Sequence, residues 1–172
     1  EFFVKGVCQR DGNSTTISVS NAENTNSFEQ QREKFKKEAR RLRSLRNPHI
    51  VKVYDLFEEN GTAYYVMDYV DGENLSARLK RTNAPLAESE VRNYLNQILD
   101  GLEAIHNEGM FHLDIKPANI MVDSHDVVKL IDFGASKQQS TEGGATMSTG
   151  ISYTNGYAPS EQMAQSYDKF GP

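Results

Sequence analysis

His112-Leu113-Asp114-Ile115-Lys116-Pro117-Ala118-Asn119, followed further on by Ile131-Asp132-Phe133-Gly134, is the stretch on which the reading of this chain turns. Asn119 comes five positions after Asp114, and Asp132 eighteen. Between them lie Ile120-Met121-Val122, a turn-like Asp123-Ser124-His125-Asp126, and Val127-Val128-Lys129-Leu130-Ile131. Two short apolar runs about a polar turn predict a β-hairpin. One carboxylate then sits in the loop before the hairpin and another just after it, where both can face one cleft.

These residue types suit phosphoryl transfer. That chemistry needs a carboxylate to accept the hydroxyl proton, and a carboxylate with an amide oxygen to hold Mg²⁺ on the phosphates. It also needs a lysine to neutralise charge on the group in flight. Asp114 fits the first role, Asp132 and Asn119 the second, and Lys116 the third. At these residues the chain resembles the eukaryotic-type protein kinases, whose signatures are H-R-D-x-x-x-x-N and D-F-G. Both motifs stand in the family's order and spacing, which makes the match specific.

At 172 residues the chain is long enough for one domain with a real core. A net charge of −5 and a pI near 5.4 argue against a nucleic-acid footprint. One cysteine, Cys8, forms no internal disulfide, so a reducing compartment, and with it a cytoplasmic location, is expected. No apolar run approaches bilayer-spanning length, so no membrane contact is expected from this segment. Glu1 and the Tyr167-Asp168-Lys169-Phe170-Gly171-Pro172 end read as cut ends, and the expectation is a fragment.

Phe2-Phe3-Val4 reads as the tail of a strand. Residues 9–27 are nearly all polar and are expected to form a mobile loop. Phe28 to Arg46 reads as a basic helix with Phe35, Ala39 and Leu42 on one face and Leu45 continuing it. Its eight lysines and arginines from Arg32 to Arg46 read as a solvated face. Glu38 lies beside the apolar face. Spacing leaves open whether it is a boundary glutamate reaching solvent or a carboxylate held by a partner. Asn47-Pro48 stops the helix. Ile50–Phe57 and Ala63–Val70 read as strands, with Asn60-Gly61 supplying the positive φ angles of a tight hairpin. Asp71-Gly72 breaks the run, and Leu75–Arg81 suits a short helix. From Pro85 to Asn107 the helical signal is clearest: Val91, Tyr94, Leu95, Ile98, Leu99, Leu102 and Ile105 repeat at three- and four-residue spacing. Acidic residues load its first turn and Gly109 is placed to close it. Residues 135–156 are small and polar and read as a loop.

The resemblance runs through the chain and implies an α+β fold, a partial protein-kinase-like two-lobed fold. Residues 1–69 would be a small lobe lacking its glycine-rich loop and strand lysine. Residues 70–172 would be the first half of a helical large lobe, ending after the activation segment. Glu38 would pair with the lysine that orients ATP. Met67 would be the gatekeeper, Asp68-Tyr69-Val70 the hinge that binds adenine, and Met121 the residue stacking below it. His112 and Phe133 would belong to a buried spine. Asp114 would be the catalytic base, Lys116 the γ-phosphate contact, and Asn119 and Asp132 the ligands of Mg²⁺. A lysine two places after the base is the serine/threonine form. Residues 132–161 would be the activation segment, with Thr154 bonded to Asp114 and Lys116. Gly156-Tyr157-Ala158-Pro159-Ser160-Glu161-Gln162 is similar to bacterial serine/threonine kinases.

Departures from the family pattern are also present. Leu113 replaces the usual arginine, so the pocket that reads a loop phosphate lacks its main cation. Ser160 stands where A-P-E has proline. Nothing before Glu38 reads as the glycine-rich loop or the lysine, Lys5 included. The implied function is transfer of the γ-phosphate of ATP to serine or threonine hydroxyls of proteins, with this segment inactive alone. Alternatives are a non-catalytic pseudokinase scaffold, or a small-molecule phosphotransferase. The apolar face of residues 91–105 is expected to draw copies of the chain together.

Overall fold

The protein is described here by a computed structural model covering residues 1–10, 12–133, 137–138 and 154–164. The chain divides into two compact units, Glu1–Leu45 with Lys52–Asp68, and Arg46–Val51 with Tyr69–Pro172.

In the first unit a 23-residue helix, α1 (Ala22–Ser44), packs on an antiparallel pair, β3 (Val53–Glu59) and β4 (Thr62–Met67). Phe28, Ala39 and Leu42 are buried on the helix, and Phe35 stacks on Tyr65 with ring centroids 4.9 Å apart. Asn60 and Gly61 both have positive φ and turn the hairpin, as the Asn-Gly pair predicts. Parts of the polar stretch expected to be a mobile loop instead form regular elements. β1 (Cys8–Arg10) pairs with β2 (Ile17–Val19), and α1 starts six residues before the predicted Phe28. Two causes explain the difference. Cys8 and Ile17 cluster with Phe28, against which Phe2, Val4, Val7 and Val19 pack, so three apolar residues of the hairpin find a surface. Asn21 caps α1 by accepting the Glu23 N–H at 3.1 Å. The basic face is not wholly solvated either: Lys36 is buried and bridges Glu33 at 2.6 Å and Glu58 at 2.7 Å, tying α1 to β3.

The second unit is built on α3 (Glu88–Asn107) and a three-stranded sheet of β5 (Gly72–Asn74), β7 (Ile120–Asp123) and β8 (Val128–Leu130). The hairpin read from the sequence is present, with Ile120 opposite Leu130 and Val122 opposite Val128. Its turn is anchored by α3. The Tyr94 hydroxyl donates to Asp126 at 2.8 Å, Gln97 donates to the Asp126 carbonyl, and Gln97 accepts from the Val128 N–H. Burial and that bond to Asp126 push the Tyr94 hydroxyl up to about 12. The predicted strand from Ile50 is divided: Val51 donates to Leu130 and Leu130 to His49, placing residues 49–51 beside β8, while β3 begins at Val53. α2 (Leu75–Thr82) is capped by Asn74, and Gly109, at φ 66, follows the end of α3. β6 (Met110–Phe111) pairs with β9 (Lys137–Gln138) inside the region read as loop. The remainder of that loop up to Tyr153 lies outside the described residues. A last short helix, α4 (Ser160–Met163), follows Pro159.

Gly72 is a strand residue rather than a break. A Cβ there would lie 2.1 Å from the Val122 carbonyl oxygen, a backbone atom that cannot swing aside. The Gly72→Ala protein is therefore expected to lose about 1–3 kcal/mol in urea unfolding, the usual range for overpacking. On α3, Tyr94, Ile98 and Ile105 are buried, whereas Val91, Leu95 and Leu99 are exposed, Leu99 by 60%. That uncovered stripe is expected to associate with itself at high concentration. Leu99→Glu should shift the sedimentation profile towards monomer.

Candidate active site

The loop after β6 is held from behind by His112. This ring is 1% exposed, and its Nε2 lies 3.1 Å from the Ile131 carbonyl while its Nδ1 accepts the Asp114 N–H at 3.4 Å. Nε2 must then carry the proton, which is the neutral tautomer. Burial pushes the His112 pKa below its ordinary value and keeps the ring neutral. It packs on Phe133 at 4.6 Å between centroids. Leu113 turns the chain with φ 61, a left-handed conformation that costs a non-glycine residue about 1–2 kcal/mol.

The hairpin fixes where the next two groups stand. Asn119 directly precedes β7 and Ile131 directly follows β8, so the two meet across the hairpin's open end. The Ile131 N–H donates to the Asn119 carbonyl at 3.0 Å. Asp132, exposed and with φ 59, is thereby set next to Asn119 along the paired backbone. The buried Asn119 donates from Nδ2 to both the Asp114 carbonyl and Asp114 Oδ2, each at 2.9 Å. With Nδ2 so committed, the amide oxygen is the side chain's remaining polar atom.

Asp114 itself is ringed by donors. Thr154 Oγ1 donates to Oδ1 at 2.7 Å, and Lys116 Nζ contacts Oδ2 at 2.7 Å while also donating to Thr154 Oγ1 at 2.8 Å. Burial pushes the Asp114 carboxyl up. The bonds from Lys116 and Thr154, the Lys116 charge and the Asn119 amide outweigh it, and the pKa ends below the ordinary value.

Asp114, Lys116, Thr154, Asn119 and Asp132 are thus brought together in the second unit. Met121 is half-buried on β7, opposite Lys129 of β8, and Val70 is half-buried ahead of β5. Met67, Asp68 and Glu38 belong to the first unit. Met67 closes β4 opposite Val53. Asp68 donates its N–H to Lys52 and accepts the Tyr54 hydroxyl, and Glu38 is half-buried on α1. Among the described residues no three His, Cys, Asp or Glu side chains form a metal cage. One carboxylate and one amide oxygen, Asp132 and Asn119, are hard oxygen donors. Such a set fits Mg²⁺, which keeps waters and substrate phosphates as its other ligands. One residue at this site is not singled out by the sequence: Gln162, buried on α4, donates from Nε2 to the Leu113 carbonyl at 2.8 Å. Only its place in the Tyr157–Gln162 motif marked it, and nothing in that spacing tells a buried amide from an exposed one.

Comparison with known proteins gives the same reading of the fold. A family profile described as protein kinase domain matches residues 4–171. The chain is 42% identical over 106 residues to mitogen-activated protein kinase kinase kinase 2 of Arabidopsis thaliana, covering 62% of this chain and 16% of that protein. It is 40% identical over 108 residues to a probable serine/threonine-protein kinase, pknA2, of Bifidobacterium longum, covering 63% of this chain and 14% of that protein. With serine/threonine-protein kinase B of a Synechocystis species it shares 38% identity over 148 residues, covering 81% of this chain and 26% of that protein. The chain therefore spans between 14% and 26% of the length of these relatives. Among solved structures, the apo form of PpkA-294 superposes with a TM-score of 0.72 at 26% identity, covering 77% of this chain and 47% of that one.

A carboxyl whose folded pKa is depressed adds stability above its unfolded value, and that contribution is lost as pH falls through the folded value. Thr154→Val removes one donor from Asp114. Its carboxyl should titrate closer to the ordinary value in ¹³C spectra, and acid unfolding should begin at a higher pH than in the parent.

Proposed function

Because the chain belongs to the protein kinase domain family, we propose that it supplies the catalytic loop and metal-binding residues of an enzyme that transfers the γ-phosphate of ATP to serine and threonine hydroxyls of proteins. The observation that carries this reading is the Asp114–Lys116–Thr154 cluster standing beside Asn119 and Asp132. Asp114 accepts a hydrogen bond from the incoming hydroxyl and orients its oxygen towards the γ-phosphorus. As that oxygen bonds to phosphorus and the bond to the β–γ bridging oxygen breaks, the hydroxyl proton passes to Asp114 and ADP leaves. Lys116 neutralises charge on the transferred group, and Thr154 keeps Lys116 and Asp114 in register. Asn119 and Asp132 would hold magnesium, which screens the phosphate charge when bound with ATP. Adenine contacts are assigned to Met67, Asp68 and Val70 with Met121. Glu38 is assigned to pairing with the lysine that orients the phosphates.

Serine/threonine specificity is supported by Lys116 two places after Asp114 and by the Bifidobacterium and Synechocystis relatives, both named as serine/threonine-protein kinases. Reliance on ATP and a single cysteine fit a cytoplasmic setting, and no helix among the described residues is long and apolar enough to cross a membrane. The substrate is a protein, the nucleotide ATP, and no nucleic-acid partner is assigned.

In the full-length protein, Asp114→Asn is expected to lower phosphate incorporation by about 10²–10⁴-fold, the usual share of a positioned base. Equal incorporation by the two proteins would rule out the assigned base. Leu113 offers no cation to a loop phosphate. Phosphatase treatment of the wild-type protein should therefore leave its initial rate unchanged.

A further inference from the structure

The peptide plane between Leu113 and Asp114 is gripped at both ends. Its carbonyl accepts from Gln162 Nε2 at 2.8 Å, and its N–H donates to His112 Nδ1 at 3.4 Å. The next carbonyl, on Asp114, accepts from Asn119 Nδ2 at 2.9 Å. Two consecutive planes are thus fixed by three buried side chains. Such a grip has a purpose here, because Leu113 sits at φ 61, where an L side chain resists staying. Asp114 hangs from the plane that follows that turn.

Gln162 is 3% exposed and belongs to α4, whose first turn is closed by its own N–H donating to the Pro159 carbonyl at 3.1 Å. The stretch from Thr154 to Gln162 therefore meets the Asp114 loop twice. Thr154 holds the carboxylate, and Gln162 holds the backbone that carries it. Leu113 is apolar and offers this segment no cation; what meets the segment at position 113 is the main-chain carbonyl, through the neutral carboxamide of Gln162.

We infer that Gln162 is a positioning residue for Asp114: its buried side-chain amide latches the Leu113 carbonyl, so the geometry of the base depends on α4 being seated rather than on a loop phosphate. The latch stands on this geometry alone, while its effect on rate rests on the phosphoryl-transfer reading above.

Gln162→Met keeps length and volume but has no donor, and Gln162→Glu keeps shape but turns an acceptor towards the carbonyl. Amide exchange followed by NMR should show the Asp114 N–H exchanging about tenfold faster or more in both, with α3 protection unchanged as the reference for an intact fold. In the full-length protein kcat should fall by about 10- to 100-fold, the scale of a small misplacement, while KM for ATP changes by less than about twofold. The Glu variant should be at least as impaired as the Met variant. Asp114 exchange equal to wild type in both variants overturns the latch whatever the activity. Faster exchange with kcat unchanged overturns its role in placing the base. An Asp114→Asn protein that retains full activity overturns the phosphoryl-transfer reading instead, and the exchange result then decides the latch by itself.

Discussion

A partly buried negative charge at Asp114 is the constraint to which the rest of the second unit answers. A carboxylate taken out of water without partners would protonate or expel itself from the loop. Here four bonds from three side chains meet it or its own carbonyl: Lys116, Thr154 and Asn119. Those partners come from three places in the sequence, namely two positions on, five positions on, and a segment forty residues later. Meeting the charge therefore forces the chain to close on itself, and closure brings Asn119, and with it Asp132, to the same place.

The supporting elements follow from that closure. β7 and β8 keep Asn119 and Ile131 level, so one backbone bond links the residue beside Asp132 to the residue that holds Asp114. α3 fixes the far end of the hairpin through Tyr94 and Gln97, so a slip of one residue would break side-chain bonds at the turn and turn Val122 and Val128 away from the core. His112 joins the end of the hairpin to the Asp114 loop, bonding Ile131 on one ring nitrogen and Asp114 on the other.

Much of this was legible because it was written in local pattern. The hairpin between Ile120 and Leu130, the Asn60-Gly61 turn and the long α3 each follow from alternation, turn chemistry or helical spacing, which need no knowledge of neighbours. The spacing of Asp114, Asn119 and Asp132 was legible for the same reason. What escaped depends on distant contacts. Ile17 and Val19 sit in a polar stretch and form a strand only because Cys8, Phe2 and Phe28 supply an apolar surface. Gly72 looks like a break until β7 lies against it. Lys36 looks solvated until Glu58 arrives from β3. Leu113 gives no sign of its left-handed φ, and Gln162 gives none of its burial. The stripe on α3 was legible as apolar, but spacing could not separate buried Ile98 from exposed Leu99.

The choice of donors around Asp114 has an electrostatic logic. Among the described residues Lys116 is the single formal cation that bonds Asp114 directly; the other direct partners are a hydroxyl and an amide, and the groups steering its backbone are amides and a neutral imidazole. Each added positive charge would depress the carboxyl further and make it a weaker acceptor for a hydroxyl proton. Dipoles can fix geometry with much less of that penalty. An arginine at position 113 would add a second positive charge, a guanidinium, beside the loop, whereas Leu113 adds none and leaves its carbonyl to Gln162. Burial of His112 works to the same end, since a charged ring would set another cation against the Asp114 N–H and could not accept its hydrogen bond. The loop thus holds its base largely by neutral hydrogen bonds, with the Lys116 ammonium supplying the charge.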